Sequence, residues 1–254
     1  MQLNKRKTVN EKRLFGLIGH PLTHSFSKQY FDSKFKNEQI VDVFFELFDI
    51  KNIEELSSFI INTSLNGFAI TIPYKQQIIP FLTVANDVVK QLNACNCVRI
   101  DNGKLVGFNT DVIGFEQSLI KDLKPQHTKA LILGNGGAAA AVKYVLHKLG
   151  IAFLVVRRNT KDGCITYSDI DDHLLQSHTL IINTTPLGTY PNIEEYPNIP
   201  YQHLSSNHYL FDLVYNPTTT AFMSKGLQQN CLVKNGYEML VIQAEENWKI
   251  WNNQ

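Results

Sequence analysis

The chain has 254 residues, of which 44% are hydrophobic and 19% charged. That balance excludes wholesale disorder, and the length suits one or two domains with cores that need no disulfide staples. The formal net charge is +1, from 24 Lys and Arg against 23 Asp and Glu, so neither a basic nor an acidic excess points to nucleic acid or a charged partner. A small-molecule task is favoured. No run approaches the roughly 20 apolar residues of a membrane span. The basic stretch from Lys5 to Arg13 is followed by no apolar signal core, so it reads as a solvated extension and a cytoplasmic location is expected. Cys95, Cys97, Cys164 and Cys231 match neither a CxxC pair nor a zinc set, and all four are expected as thiols.

In chain order, Leu14–Gly19 reads as a buried strand and Ser27–Phe35 as a helix with an aromatic side. Val41–Phe48 is β-branched and aromatic, hence strand. Asn52–Ile61 has Ile53, Leu56, Phe59 and Ile60 at helical spacing. Gly67–Ile72 is a strand closed by Pro73, and Val84–Gln91 reads as a helix. Cys95–Ile100 and Lys104–Phe108 flank Asp101-Asn102-Gly103, a hairpin signal because Asn-Gly tolerates positive φ. A helix runs from Asp111 to about Leu123.

After a junction at Pro125–His127 come a strand at Ala130–Leu133 and a helix at Gly137–Leu149. Strands follow at Phe153–Val156, Thr179–Ile182, Tyr209–Leu213 and Cys231–Val233. Helices are expected at Thr218–Gln228 and Tyr237–Trp251, and Asn192–Asn207 reads as a surface loop. Strands alternating with helices imply an α/β fold with mostly parallel sheets.

Gly134-Asn135-Gly136-Gly137-Ala138-Ala139 follows the pattern G-x-G-x-x-A between a strand and a helix. Gly134 permits the tight turn, Gly136 lets backbone approach a pyrophosphate, and Ala139 lets helix pack closely on strand. The helix N-terminus offers N–H groups and partial positive charge to the anion. A ligand-free tight turn is the plain alternative, but the strand–turn–helix context is the one the motif requires. The next strand ends at Arg157-Arg158, where an NAD site usually carries an acidic residue. Guanidinium groups pair with a 2′-phosphate, so NADP is preferred over NAD.

Three polar stretches of the first half stand at strand ends: Gly19 to Ser27, Thr71 to Lys75, and Gly107 to Asp111. In open α/β sheets, ligands bind beyond the carboxyl ends of strands. Their hydroxyls, amide, ammonium and carboxylate suit a polyhydroxylated, anionic small molecule. Lys75 and Asp111 form an acid–base pair if the fold unites them. Each also has a plain reading: Asp111 as a helix N-cap, Ser25 and Ser27 as caps of their helix, Lys75 as a surface residue. Gln243 interrupts an apolar helix face near Met239 and Leu240. An amide there needs a partner, which is either a ligand or backbone.

Together these stretches resemble the shikimate dehydrogenase family, in the family's order, from Gly16 to Trp251. Gly19 through Ser27 matches its G-x-P-(hydrophobic)-x-H-S-x-S signature. Thr71, Pro73 and Lys75 match N-V-T-x-P-x-K, with Ala69 and Ile70 departing. Asn96 is kept in the third motif, where Asn93 and Cys97 depart. Gly107 to Gly114 matches G-x-N-T-D-x-x-G. Arg157-Arg158-Asn159 stands for the N-R-T motif, followed by Asn183–Gly188, Asp212–Thr220, and Gly236–Leu240 with Gln243.

The resemblance implies a substrate domain of residues 1–109 with 237–254, and a doubly wound Rossmann-type NADP domain of residues 110–236, with a cleft between them. It implies reversible NADPH-dependent reduction of 3-dehydroshikimate to shikimate, a step toward chorismate and aromatic amino acids. Lys75 would be the acid–base group, oriented by Asp111. Ser25 and Ser27 would hold the carboxylate, with Thr71 and Tyr215 near, and Asn96, Asp111 and Gln243 would bind ring hydroxyls. Gly134, Asn135, Gly136, Gly137, Ala138, Arg157, Arg158, Thr184, Leu213 and Gly236 would line the cofactor. No metal, nucleic-acid or membrane partner is expected, and the protein would be a monomer or homodimer. A quinate/shikimate dehydrogenase with looser cofactor use, and a non-catalytic NADP-binding paralogue, are the alternatives. Arg157-Arg158 speaks against the first, and the presence of both Lys75 and Asp111 against the second.

Overall fold

A computed structural model describes residues 12–22, 25–159 and 163–253. Of the basic stretch from Lys5 to Arg13, only Lys12 and Arg13 are among the described residues, and Arg13 opens the first strand. The chain divides into two compact units, Met1–Asn109 with Asn247–Gln254, and Thr110–Glu246.

The first unit holds strands β1 (Arg13–Gly19), β2 (Val43–Asp49), β3 (Gly67–Ile70), β4 (Val84–Ala85), β5 (Cys97–Asp101) and β6 (Lys104–Phe108). Helices α1 (Phe26–Asn37), α2 (Leu56–Thr63) and α3 (Asp87–Leu92) lie among them. The sheet order is β2-β1-β3-β5-β6-β4. Strand β5 runs against its neighbours β3 and β6, and the other pairs are parallel. Central β1 is buried on both faces from Phe15 to Gly19, which is why it reads as a continuous apolar run. Edge strand β2 buries Val43 and Phe45 while Phe44 faces solvent. The β5–β6 hairpin turns at Asn102 and Gly103, both at positive φ.

Two expected helices differ in detail. Val84–Gln91 opens as strand β4, because β-branched Val84 pairs with Val106; helix begins only at Asp87, after the Asn86 side chain caps the Val89 N–H at 2.9 Å. The Asn52–Ile61 segment starts as a 3-10 turn at Ile53–Glu55 and becomes α2 at Leu56. The unit's aromatic core joins α1, β1, β2 and the end of the last helix. Phe15 stacks on Trp251 at 4.9 Å and Phe31 on Phe45 at 4.6 Å. The indole Nε1–H of Trp251 donates to the Val98 carbonyl at 3.1 Å.

The second unit holds β7 (Lys129–Leu133), β8 (Ala152–Arg157), β9 (Ile165–Thr166), β10 (Leu180–Asn183), β11 (Tyr209–Asp212) and β12 (Leu232–Lys234). Its helices are α4 (Asp111–Ile120), α5 (Gly137–Lys148), α6 (Asp172–Ser177), α7 (Ala221–Gln228) and α8 (Tyr237–Trp251), the last of which continues into the first unit. All strand pairs are parallel, in the order β12-β11-β10-β7-β8-β9. Counted from β7, that is the 3-2-1-4-5-6 order of a dinucleotide-binding sheet, with its switch point between β7 and β10. The division between units falls inside α8, after Glu246, whereas the motif-based boundary stood at Tyr237. The Asn192–Asn207 segment is only partly surface, because Ile199 and Leu204 bury themselves in the core of this unit. Strand β9, of 2 residues, and helix α6, of 6, are too short to show a period in the sequence.

Candidate active site

In the first unit, strand polarity gathers the polar stretches. The carboxyl ends of β1, β3 and β6 lie at one sheet edge, together with the amino end of reversed β5. Ile18 pairs with Ile70, Ala69 with Cys97, and Cys97 with Phe108, so Thr71, Asn96 and Asn109 follow one another along that edge. Backbone bonds lock them. The Asn96 carbonyl accepts from Ile70 N–H at 2.8 Å, and Asn96 N–H donates to Phe108 O at 3.1 Å. Asn109 Nδ2 donates to Ala94 O at 2.9 Å. Thr71 N–H donates to Ile18 O at 2.9 Å, and His20 N–H to Ile72 O at 3.1 Å.

Lys75 is half-buried in the turn after β3. Its carbonyl accepts Cys95 N–H at 2.7 Å, and buried Tyr74 beside it donates its hydroxyl to Ile50 O at 2.5 Å. Both contacts hold the turn in place. Ser25 occupies the N-cap position of α1, yet its side chain makes no capping bond. The plain reading of Ser25 as a cap is therefore set aside.

Asp111 is the first residue of α4, with Thr110 at the N-cap, so it is not the cap either. Its carboxylate is buried and accepts from Gln243 Nε2 at 2.8 Å. The amide on α8 thus has a side-chain partner in the chain, not a backbone one. Gly114, one turn along α4, lies where a Cβ would stand 2.6 Å from the Met239 carbonyl. This close helix approach is what brings Gln243 to Asp111.

In the same unit, Gly134 has φ +105°, and a Cβ there would stand 2.8 Å from Thr184 Oγ1. Its N–H donates to Val156 O at 2.9 Å, which sets Arg157 beside the turn. Asn135, Gly136 and Gly137 are exposed, and a Cβ on either glycine would meet nothing within 4 Å. Half-buried Ala138 is the second residue of α5, beside them. Gly136 caps α5 without a side chain, so no side-chain cap covers the N-terminus of this three-turn helix. Buried Ala139 packs against the sheet. Lys143 Nζ holds Asn135 Oδ1 at 2.8 Å. Arg157 is half-buried and Arg158 exposed. This set fits a dinucleotide carrying a 2′-phosphate. Thr184 is half-buried at the switch point, and Tyr215 is exposed on the loop after β11. Gly236 is different in kind. It is buried, and a Cβ would stand 2.2 Å from the Leu213 carbonyl, so its lack of a side chain serves backbone packing.

A family model of the shikimate dehydrogenase substrate binding domain matches residues 17–98. The chain is 32% identical over 262 residues to the NADP(+) shikimate dehydrogenase of Methanococcus vannielii, covering 94% of this chain and 90% of that one. The chain belongs to the shikimate dehydrogenase family. Among solved structures, the shikimate dehydrogenase of Aquifex aeolicus superposes with a TM-score of 0.84 at 29% identity, covering 96% of this chain and 93% of that one. The Thermus thermophilus enzyme, solved with NADP(H) and shikimate, has a TM-score of 0.83 at 25% identity, covering 95% and 94%. Two α/β units with a doubly wound second sheet are thus the architecture of a shikimate dehydrogenase. No helix among the described residues is long and apolar enough to cross a membrane.

Sequence reasoning passed over three residues of the second unit, Asn183, Asp212 and Thr220. All three are completely buried and joined by hydrogen bonds. Asn183 and Asp212 show in the sequence only as polar residues ending apolar strands, and Thr220 only as one of three threonines before a helix.

Proposed function

We propose that this chain catalyses reversible hydride exchange between shikimate and 3-dehydroshikimate with NADP as cofactor. The observation that carries the reading is the single sheet edge of the first unit. There, strand polarity collects the loops bearing Ser25, Thr71, Lys75, Asn96 and Asn109. The full-length similarity to proteins named NADP-dependent shikimate dehydrogenases supports it.

When bound, the reduced nicotinamide supplies the hydride. The remaining work belongs to the chain. Ser25 and Ser27 hold the substrate carboxylate through their hydroxyls, with Thr71 and Tyr215 assisting. Asn96, locked by its own backbone bonds, and Gln243 accept or donate to ring hydroxyls. As charge grows on the C3 oxygen, the Lys75 ammonium delivers a proton to that atom, and in the reverse direction it receives one. Asp111 acts with it, its carboxylate fixed by Gln243 Nε2. The open glycine turn and the N-terminus of α5 receive the pyrophosphate, with Thr184 and Leu213 bordering it, and Arg157 and Arg158 bind the 2′-phosphate. Fixed contacts around the ring present one face of the ketone, which is the source of stereochemistry and much of the rate.

The test is absorbance of the reduced nicotinamide with shikimate or quinate, each with NADP or NAD. Shikimate with NADP is expected to give the highest kcat/KM. Equal use of NAD would overturn the 2′-phosphate assignment, and no turnover with either acid would overturn the activity.

A further inference from the structure

The carboxylate of Asp212 ends β11, is wholly buried, and takes no part in the proposed chemistry. Three separate segments donate to it. Asn183 Nδ2, at the end of β10, reaches Oδ1 at 2.9 Å. Val214 N–H, on the loop after β11, reaches Oδ1 at 3.0 Å. Thr220 Oγ1, at the N-cap of α7, reaches Oδ2 at 2.6 Å and accepts Met223 N–H at 3.2 Å.

An ionised carboxylate only accepts, so it dictates which way the Asn183 amide faces. The amide NH2 turns to Asp212, and its oxygen turns to the next loop. There it accepts the N–H of Thr185 at 3.0 Å and the hydroxyl at 2.6 Å. Thr184, one residue earlier, donates both its N–H and its hydroxyl to Leu133 O at 2.9 Å. Leu133 is the last residue of β7 before Gly134. Hydrogen bonds therefore run from α7 through Asp212 and Asn183 to Thr185, and the adjoining Thr184 carries the link to Leu133 at the floor of the glycine turn, across the switch point of the sheet.

Leu133 at the end of β7 and Phe211 next to Asp212 in β11 are buried apolar side chains that carry no desolvation cost. Here a carboxylate is retained although burial pushes it up to about 6, against the pull of Thr220, Val214 and Asn183. Tyr201 faces it from the 3-10 turn Tyr201–His203; its hydroxyl donates to Pro197 O, and Lys225 lies over its ring at 5.4 Å.

We propose that Asp212 is a positioning residue for the cofactor. Through Asn183 and Thr220 it sets the loops after β10 and β11 that border the glycine turn, and so sets NADP affinity without touching NADP. The proposal rests on the placement of the cofactor at that turn.

Asp212→Asn keeps the volume and one acceptor oxygen but puts an NH2 group where Oδ2 receives the Thr220 hydroxyl. NADP dissociation constants are measured by fluorescence titration well below the thermal midpoint, beside kcat and KM for both substrates. The expected result is a rise of about tenfold in the NADP dissociation constant and KM, with kcat at saturating cofactor within about twofold. Thr220→Val should reproduce the rise, and Thr220→Ser should restore near-normal binding. A lowered midpoint with unchanged NADP affinity in Asp212→Asn overturns the proposal and leaves Asp212 a fold-holding residue. If Asp212→Asn does not fold, the Thr220 pair decides by the same readouts. Should Gly136→Ala and Arg158→Asp also leave NADP affinity unchanged, the cofactor placement falls and this inference with it. If those two weaken binding and Asp212→Asn does not, the positioning role alone falls.

Discussion

Two glycines of one turn should respond to the same substitution in opposite ways. Gly134 sits at φ +105°, where a side chain is strained whatever the space, at a cost of about 1–3 kcal/mol. Its added Cβ would stand 2.8 Å from Thr184 Oγ1 and 3.0 Å from Thr185 Cγ2, which adds about 1–3 kcal/mol of overpacking. Displacing Thr184 also endangers its two bonds to Leu133 O, worth about 1 kcal/mol each. Gly134→Ala should therefore destabilise by about 4 kcal/mol, a midpoint shift of about 10 °C. Gly136 has φ −85°, and an added Cβ meets nothing within 4 Å. Gly136→Ala should leave stability within about 1 kcal/mol, since a weaker cap is offset by a stiffer unfolded chain. Its methyl would stand where the pyrophosphate must approach, so NADP affinity should fall about tenfold. Thermal unfolding and NADP titration on both variants make the comparison. A Gly134→Ala protein as stable as wild type would refute the steric argument. A Gly136→Ala protein with normal NADP affinity would refute the use of this turn for the cofactor.

Lys75→Ala should bind NADP normally and lose most turnover, on the order of 10²–10⁴-fold; steady-state rates near wild type would remove Lys75 from proton transfer. Arg158→Asp should weaken NADP far more than NAD, since it replaces a phosphate partner with a repelling charge; equal losses for both cofactors would exclude a 2′-phosphate clamp. The acid limb of stability should depend on Glu238. Desolvation alone would raise this carboxyl, but hydrogen bonds and charge from Lys121 and Lys234 outweigh it and hold it at about 2. A depressed carboxylate contributes stability that is complete above its unfolded value and lost as pH falls toward the folded one. Glu238 is about one-third exposed, so the contribution is about 1–2 kcal/mol after screening. Glu238→Gln should lower denaturant stability at pH 7 and flatten the loss between about pH 4.5 and 2; an unchanged acid limb would contradict it.

The elements that were legible in the sequence are those whose local pattern agrees with their place in the fold. Strands β1, β7 and β10 are buried on both faces and read as unbroken apolar runs. The Asn102-Gly103 hairpin and the Gly134 turn announced themselves because few residues accept positive φ. Val84–Ala85 was misassigned because two residues carry no period; its strand identity comes from pairing with β6. Ile199 and Leu204 were assigned to a surface loop by the prolines around them, yet they fill the core beside Phe222.

The same divide runs through the candidate site. The sequence by itself determined the α/β class, the glycine turn between strand and helix, the family and the residue types on offer, since those follow from local periodicity, turn sterics and motif spacing. Tertiary structure alone decided that β5 runs backwards, and so that Asn96 enters the edge bearing Thr71 and Lys75 from the opposite direction. It also decided that Gln243, 132 residues away in the chain, has Asp111 as its partner, and that Gly236 serves packing against Leu213. Asp212 shows why. Its side chain gains meaning only from donors on three segments brought together by parallel strands. Local sequence records a residue's chemistry, while the partners that make a buried charge tolerable are supplied from far along the chain.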